Sequence, residues 1–125
     1  ELIGEWNDTI NNDIMHLKRN VIDRLVDLKI NKFILLGENV FNFHGSDDCY
    51  YEEWFEDVED LEYHKTPGWI AAVNFPDFVQ EELQNFNVDA YLNMGGTLQI
   101  NNWRTMAPRQ FFKKVDDLIS RRLGM

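Results

Sequence analysis

Trp69-Ile70-Ala71-Ala72-Val73 is an unbroken apolar run between the chain break Pro67-Gly68 and the Asn74-Phe75-Pro76 turn. A run this short, bounded by turn residues, fits a strand buried on both faces better than a helix, which needs about ten residues or more. Strands hidden on both faces are typical of sheets covered by helices on either side. The two alanines leave room for a helix to approach closely. Pro76 suits the first turn of a following helix, with Asn74 or Phe75 near its cap. Phe78, Val79, Leu83 and Phe86 give that helix one apolar face, and it should end before Val88.

Ala90-Tyr91-Leu92-Asn93-Met94 then reads as another strand. Strand, helix and strand in this order are the minimal crossover between parallel strands. Gly95-Gly96 separates that run from Thr97-Leu98-Gln99-Ile100-Asn101, a pattern that predicts a tight hairpin with positive φ at the glycines. The chain ends in a helix with Thr105 or Ala107 near its cap and Pro108 in its first turn. Phe111, Phe112, Val115, Leu118, Ile119 and Leu123 form its buried face, Arg121 and Arg122 suit its negative end, and Gly124 stops it.

Upstream, Lys32-Phe33-Ile34-Leu35-Leu36-Gly37 predicts a central strand. The alternation of Val40, Asn42 and His44 against Phe41 and Phe43 predicts a second hairpin strand or an extended continuation. Between Asn7 and Leu28, the spacing of Ile10, Ile14, Leu17, Val21, Leu25 and Leu28 predicts one long amphipathic helix. The sequence thus predicts an α/β or α+β fold: a single domain over residues 1–125, with a mixed, mostly buried sheet of four to five strands. Helices pack on that sheet, and the helices at the two ends are long. A chain opening on Glu1 rather than Met is compatible with a lost native start or a preceding domain.

The formal net charge is −10, and it is local. Between Lys32 and Lys65 there is no Lys or Arg, while ten acids fall there, from Glu38 and Asp47 through Glu62. The remaining 12 acids match the 12 basic residues. Ser46 is the expected N-cap of a helix covering this run, with Asp47 and Asp48 in its first turn. Tyr51, Trp54, Phe55, Val58 and Leu61 share its inner face. Glu52, Glu53, Glu56, Asp57, Glu59 and Asp60 flank or oppose that face.

A field of this sign repels phosphate backbones, so no nucleic acid is expected as a partner. No apolar run approaches the roughly 18 residues that span a bilayer, so no membrane is expected, and no basic-then-apolar leader opens the chain. Cys49, the only cysteine, rules out an internal disulfide and fits a reducing, cytoplasmic setting. The expected function is therefore a non-enzymatic binding or regulatory domain. It would present Glu52, Glu53, Glu56, Asp57 and Asp60 to a basic protein, with Trp54, Phe55, Tyr50, Tyr51 and Tyr63 as candidate anchors.

The alternative is a small enzyme with a pocket at the carboxyl ends of parallel strands, where open α/β sheets bind ligands. Glu38, His44, Asp47, Asp48, Asn74 and Arg104 are its candidate residues. The metal-dependent hydrolase version would use His44, Asp47, Asp48 and Glu52 or Glu38, but their spacing matches no ligand motif, and no metal or cofactor is expected. Arg104 is the one candidate anchor for an anionic substrate, since no Walker or GxGxxG pattern exists. Cys49 among carboxylates is a poor nucleophile, and Ser46 lacks the elbow motif. His16, His44 and His64 have no evident catalytic partners. A homodimer through the first helix and the aromatics is a third expectation.

Overall fold

The computed structural model describes residues 2–9, 11–60, 64 and 66–122. Its strands are β1 (Ile3–Asn7), β2 (Lys32–Leu36), β3 (Asn39–His44), β4 (Trp69–Val73) and β5 (Asn93–Met94). The helices are α1 (Asp13–Leu17) and α2 (Asp23–Asp27), joined by a π turn over Lys18–Ile22, then α3 (Cys49–Glu59), α4 (Asp77–Asn85) and α5 (Pro108–Arg122). β1 and β3 form one sheet; β2, β4 and β5 form the other in the order β2-β4-β5. Every described ladder is parallel, so the mixed sheet expected from sequence is corrected to two small parallel ones.

β4 is the central strand, and β2 flanks it. Side chains alternate across β4: Ile70 and Ala72 join the core shared with α1, α2, α3 and α4, whereas Trp69, Ala71 and Val73 join the core under α5. That alternation explains why all five residues of the strand are apolar and buried. The α5 side adds Phe111, Val115 and Ile119 from the helix, with Leu98 and Ile100 from the preceding segment. Asp116 fixes the helix on the sheet, accepting from Trp69 Nε1 at 3.1 Å and pairing with Lys32 Nζ at 3.2 Å.

The expected Gly95-Gly96 hairpin does not form. Both glycines have positive φ, but β5 is two residues long and parallel to β4, and Gly96–Leu98 is a 3-10 turn. The segment crosses below β4 because Leu98 and Ile100 fill the α5-side core, and the Asn74 side chain clips it there. β3 is the extended continuation and not a hairpin strand, since it pairs with β1.

The predicted helix from Asn7 is also corrected. Asn7 ends β1, Asn12 sits in the left-handed region at φ 53°, and the helix begins at Asp13. The Asp13 carboxylate accepts from Asn7 N–H at 2.7 Å, and Asp8 accepts from Ile14 N–H at 2.9 Å, so local side chains break the extended chain into the helix. The π turn then inserts extra backbone and rephases the buried face. Ile14, Ile22 and Val26 point inward, Lys18 is swallowed with them, and Val21 and Leu28 are exposed. Ile10, Leu61, Tyr63, Leu123 and Gly124 lie outside the described residues, as do Glu62 and Lys65.

The β1-β3 sheet is covered on one face only. Trp6, Val40 and Phe43 contribute to the core, while Ile3 is 73% and Phe41 70% exposed. Phe41 lies where the register slips between Gly4 and Glu5, opposite no β1 partner. The sheets are thus buried in part, not throughout. No helix among the described residues is long and apolar enough to cross a membrane.

Candidate functional site

α3 presents the acidic run as foreseen, with Tyr51, Trp54 and Val58 buried beneath it. Ser46 is not its cap: the helix starts at Cys49, whose N–H donates to Asp47 Oδ1 at 3.1 Å. The acids of α3 divide into two groups. Glu53 and Asp57 lean toward the π turn, where Lys18, 0% exposed, lies 3.2 Å from Glu53 Oε1 and 2.8 Å from Asp57 Oδ2. Asp23 completes the shell around Lys18 Nζ. Burial pushes the Lys18 pKa down, but the hydrogen bonds it donates to Asp23, Asp57 and Glu53 carry it above its ordinary value.

Arg19 reinforces the same corner. It forks onto both Glu53 oxygens, with Nη2 to Oε2 at 2.8 Å, reaches Asp23 at 3.1 Å, and lies 5.4 Å over the Tyr50 ring. Its guanidinium, followed by Lys18, holds the Glu53 carboxyl below its ordinary range. Carboxylate oxygens of Asp23, Glu53 and Asp57 lie within 4.8 Å of one another, a donor set suited to a hard cation. Lys18 Nζ bonds all three and supplies the positive charge there. Glu52, Glu56, Glu59 and Asp60 are exposed.

Glu38, Asn74 and Arg104 meet at the carboxyl ends of β2 and β4. Glu38 Oε1 accepts from Arg104 at 2.7 Å, and Oε2 accepts from Trp103 Nε1 at 3.0 Å and Asn74 Nδ2 at 3.5 Å. Arg104 also stacks 4.4 Å over the Trp103 ring. The Trp103 hydrogen bond lowers the Glu38 pKa, desolvation opposes it, and the hydrogen bond and charge of Arg104 add to the lowering. Asn74, buried and at φ 60°, accepts from Ile100 N–H at 2.5 Å and donates to Ile100 O at 2.7 Å. These side chains are spent on fastening the segment before α5 to the sheet.

His44, Asp47 and Asp48 have different partners. His44 Nε2 is 3.6 Å from Glu5 Oε1, Asp48 accepts from the Tyr91 hydroxyl at 3.3 Å, and Asp47 faces Cys49. The hydrogen bond to Asp47, with burial and the charge of both aspartates, raises the Cys49 thiol pKa, as expected for a thiol among acids. Asp47 belongs instead to a polar pocket of about 280 Å³ where β1 and β3 end. Asp8, Thr9, Asn12, Ser46 and Tyr50 line it with Asp47.

Asp8, Thr9 and Asn12 escaped sequence reasoning because the helix was drawn through them. The signal was the density of Asn and Asp from Asn7 to Asp13, which is turn and cap chemistry more than helix interior. Compared with known proteins, the chain matches no family model, no curated protein and no solved structure.

Proposed function

We propose that this is a non-enzymatic binding domain that docks the outer edge of α3 on a basic protein surface. The observation supporting it is the exposure of Glu52, Glu56 and Glu59, with Asp60 just beyond, on a helix without a basic residue. Glu53 and Asp57 contribute differently: held by Lys18 and Arg19, they anchor the helix and set its orientation. Trp54 and Tyr51 are core residues, so binding rests on charge and on the rim more than on buried aromatic anchors. A cytoplasmic address is part of this reading, on the strength of one unpaired cysteine.

The experiment is a binding titration with an arginine-rich peptide, comparing Glu52→Lys/Glu56→Lys/Glu59→Lys with a control reversal at Asp77, Glu81 and Asp89, exposed acids elsewhere. Loss of about tenfold or more in the α3 variant, with little change in the control, is expected, and added salt should weaken the wild type. Equal losses in both variants would show that only overall charge matters.

A catalytic site at the ends of β2 and β4 would require Glu38 to leave Trp103 and Arg104, which is why it ranks second. A homodimer draws on a separate observation, the exposed Ile3 and Phe41 on the uncovered sheet face. Sedimentation showing only monomer at high concentration would end that option.

A further inference from the structure

Parallel strands β1 and β3 finish side by side, Asn7 against His44, and the ladder runs on through Asp8 N–H to His44 O at 2.9 Å. The chain segments leaving these ends, Asp8-Thr9 and Gly45-Ser46-Asp47, diverge and leave the 280 Å³ pocket between them. Thr9 Oγ1 donates across it to Gly45 O at 2.6 Å, so its walls are tied to each other. This is the side of a parallel sheet on which open α/β folds place ligands.

The lining is Asp8, Thr9, Asn12, Ser46, Asp47 and Tyr50, with Ile14 and Cys49, and it contains no Lys or Arg. Asp8 is 5% exposed, and burial raises its pKa despite hydrogen bonds from Tyr51 and Ile14. Asp8 Oδ1 accepts from Ile14 N–H and Oδ2 from the Tyr51 hydroxyl, so neither oxygen is free to chelate a metal as a bidentate pair. With Trp6 as a third donor, the carboxylate keeps one lone pair for an ammonium N–H.

We propose that this pocket binds a small hydroxylated ammonium compound, an amino alcohol or a single amino sugar. Its ammonium lies against Asp8 and Asp47, and its hydroxyl groups meet Thr9, Ser46 and Asn12. The volume sits just under the usual range of small-molecule clefts, about 300 to 1,000 Å³, which fits one ring and not a nucleotide. An anion is repelled by the Asp47 carboxylate, and a neutral sugar forgoes its charge.

Glucosamine, with glucose as its uncharged counterpart, tests this in the intact protein by calorimetry and by amide chemical shifts. Saturable shifts confined to residues 8–12 and 45–50 are expected, with glucose about tenfold weaker or worse. Asp47→Asn keeps an acceptor for Cys49 N–H and removes the charge, so it should fold normally and bind about tenfold more weakly. Ser46→Trp should block the pocket outright. No saturable binding of glucosamine or ethanolamine up to about 10 mM, equal affinity for glucose, or unchanged affinity in Asp47→Asn overturns the proposal. Both substitutions leave Glu52, Glu56 and Glu59 in place, so the result is independent of docking through α3.

Discussion

The Lys18 ammonium, shielded wholly from solvent, lies 2.8 Å from the Asp57 carboxylate and ties the first helical stretch to the acidic helix. Removing one partner from a buried cluster costs more than the pair contributes, because the charges left behind stay unpaired. Lys18→Met should therefore destabilise the fold by about 3 kcal/mol in urea titration, with partial hydration of the three acids holding the loss near the low end of the range. The same variant removes the cation that Lys18 places among the Asp23, Glu53 and Asp57 carboxylates, while Arg19 stays on Glu53 and Asp23. Millimolar calcium should then raise the melting temperature of Lys18→Met and leave that of the wild type unchanged.

Asp8 and Glu53 respond to pH with opposite signs. Burial raises the folded pKa of Asp8 above its ordinary 3.8, so its stabilising contribution is present below that value and is lost as pH rises through the folded pKa. Glu53 is depressed by Arg19, so its contribution is present above its ordinary 4.5 and is lost as pH falls through the lower folded value. Asp8→Asn removes only the first effect and keeps an acceptor for Ile14 N–H. Its stability relative to the wild type should rise as pH climbs from about 4 through the folded pKa, and a flat difference in denaturation titrations would contradict the burial argument.

Asn74 combines a left-handed backbone with two side-chain bonds to Ile100. Alanine loses the bonds, at about 1 kcal/mol each, and adds a left-handed penalty of about 1 kcal/mol. Glycine loses only the bonds. Thermal unfolding should rank wild type above Asn74→Gly and that above Asn74→Ala, with Trp103 fluorescence shifting in both as the segment before α5 loosens.

Gly68 allows close approach of two backbone carbonyls. A Cβ there would strike Asn31 O and Val58 O, and Gly68 N–H donates to Val58 O at 3.0 Å. Since backbone has no rotamer to change, Gly68→Ala should cost about 2 kcal/mol by chemical denaturation.

Some of this was legible beforehand. β4 was readable because both of its faces are buried, so no register choice is needed to recognise the run, and α5 because its apolar period is regular, although Phe112 is 40% exposed. β1 was hidden by its shortness and by Gly4, and the burial of Lys18 by a π turn that depends on backbone phase, not on residue type. The Gly95-Gly96 turn has the φ values of a hairpin, but Leu98 and Ile100 gain more in the α5-side core than a second ladder strand would provide. Of the candidate site residues, Glu38, Asn74 and Arg104 are joined by hydrogen bonds. Asp47 joins a pocket whose other wall comes from a segment distant in sequence, which no local pattern reveals.

The parallel ladders also set how the chain reaches this state. Ile3 must find Asn39, Lys32 must find Trp69, and Ala71 must find Asn93 before any ladder exists. No described strand pair is closed by a tight turn, so each ladder pays loop entropy before it gains hydrogen bonds. Helices α3 and α5 can gather early, whereas the sheets must wait for distant partners. Ribosomal synthesis sharpens the delay: β4, the strand at the centre of both cores, emerges after β2, which until then holds an unpaired edge and apolar faces in the open.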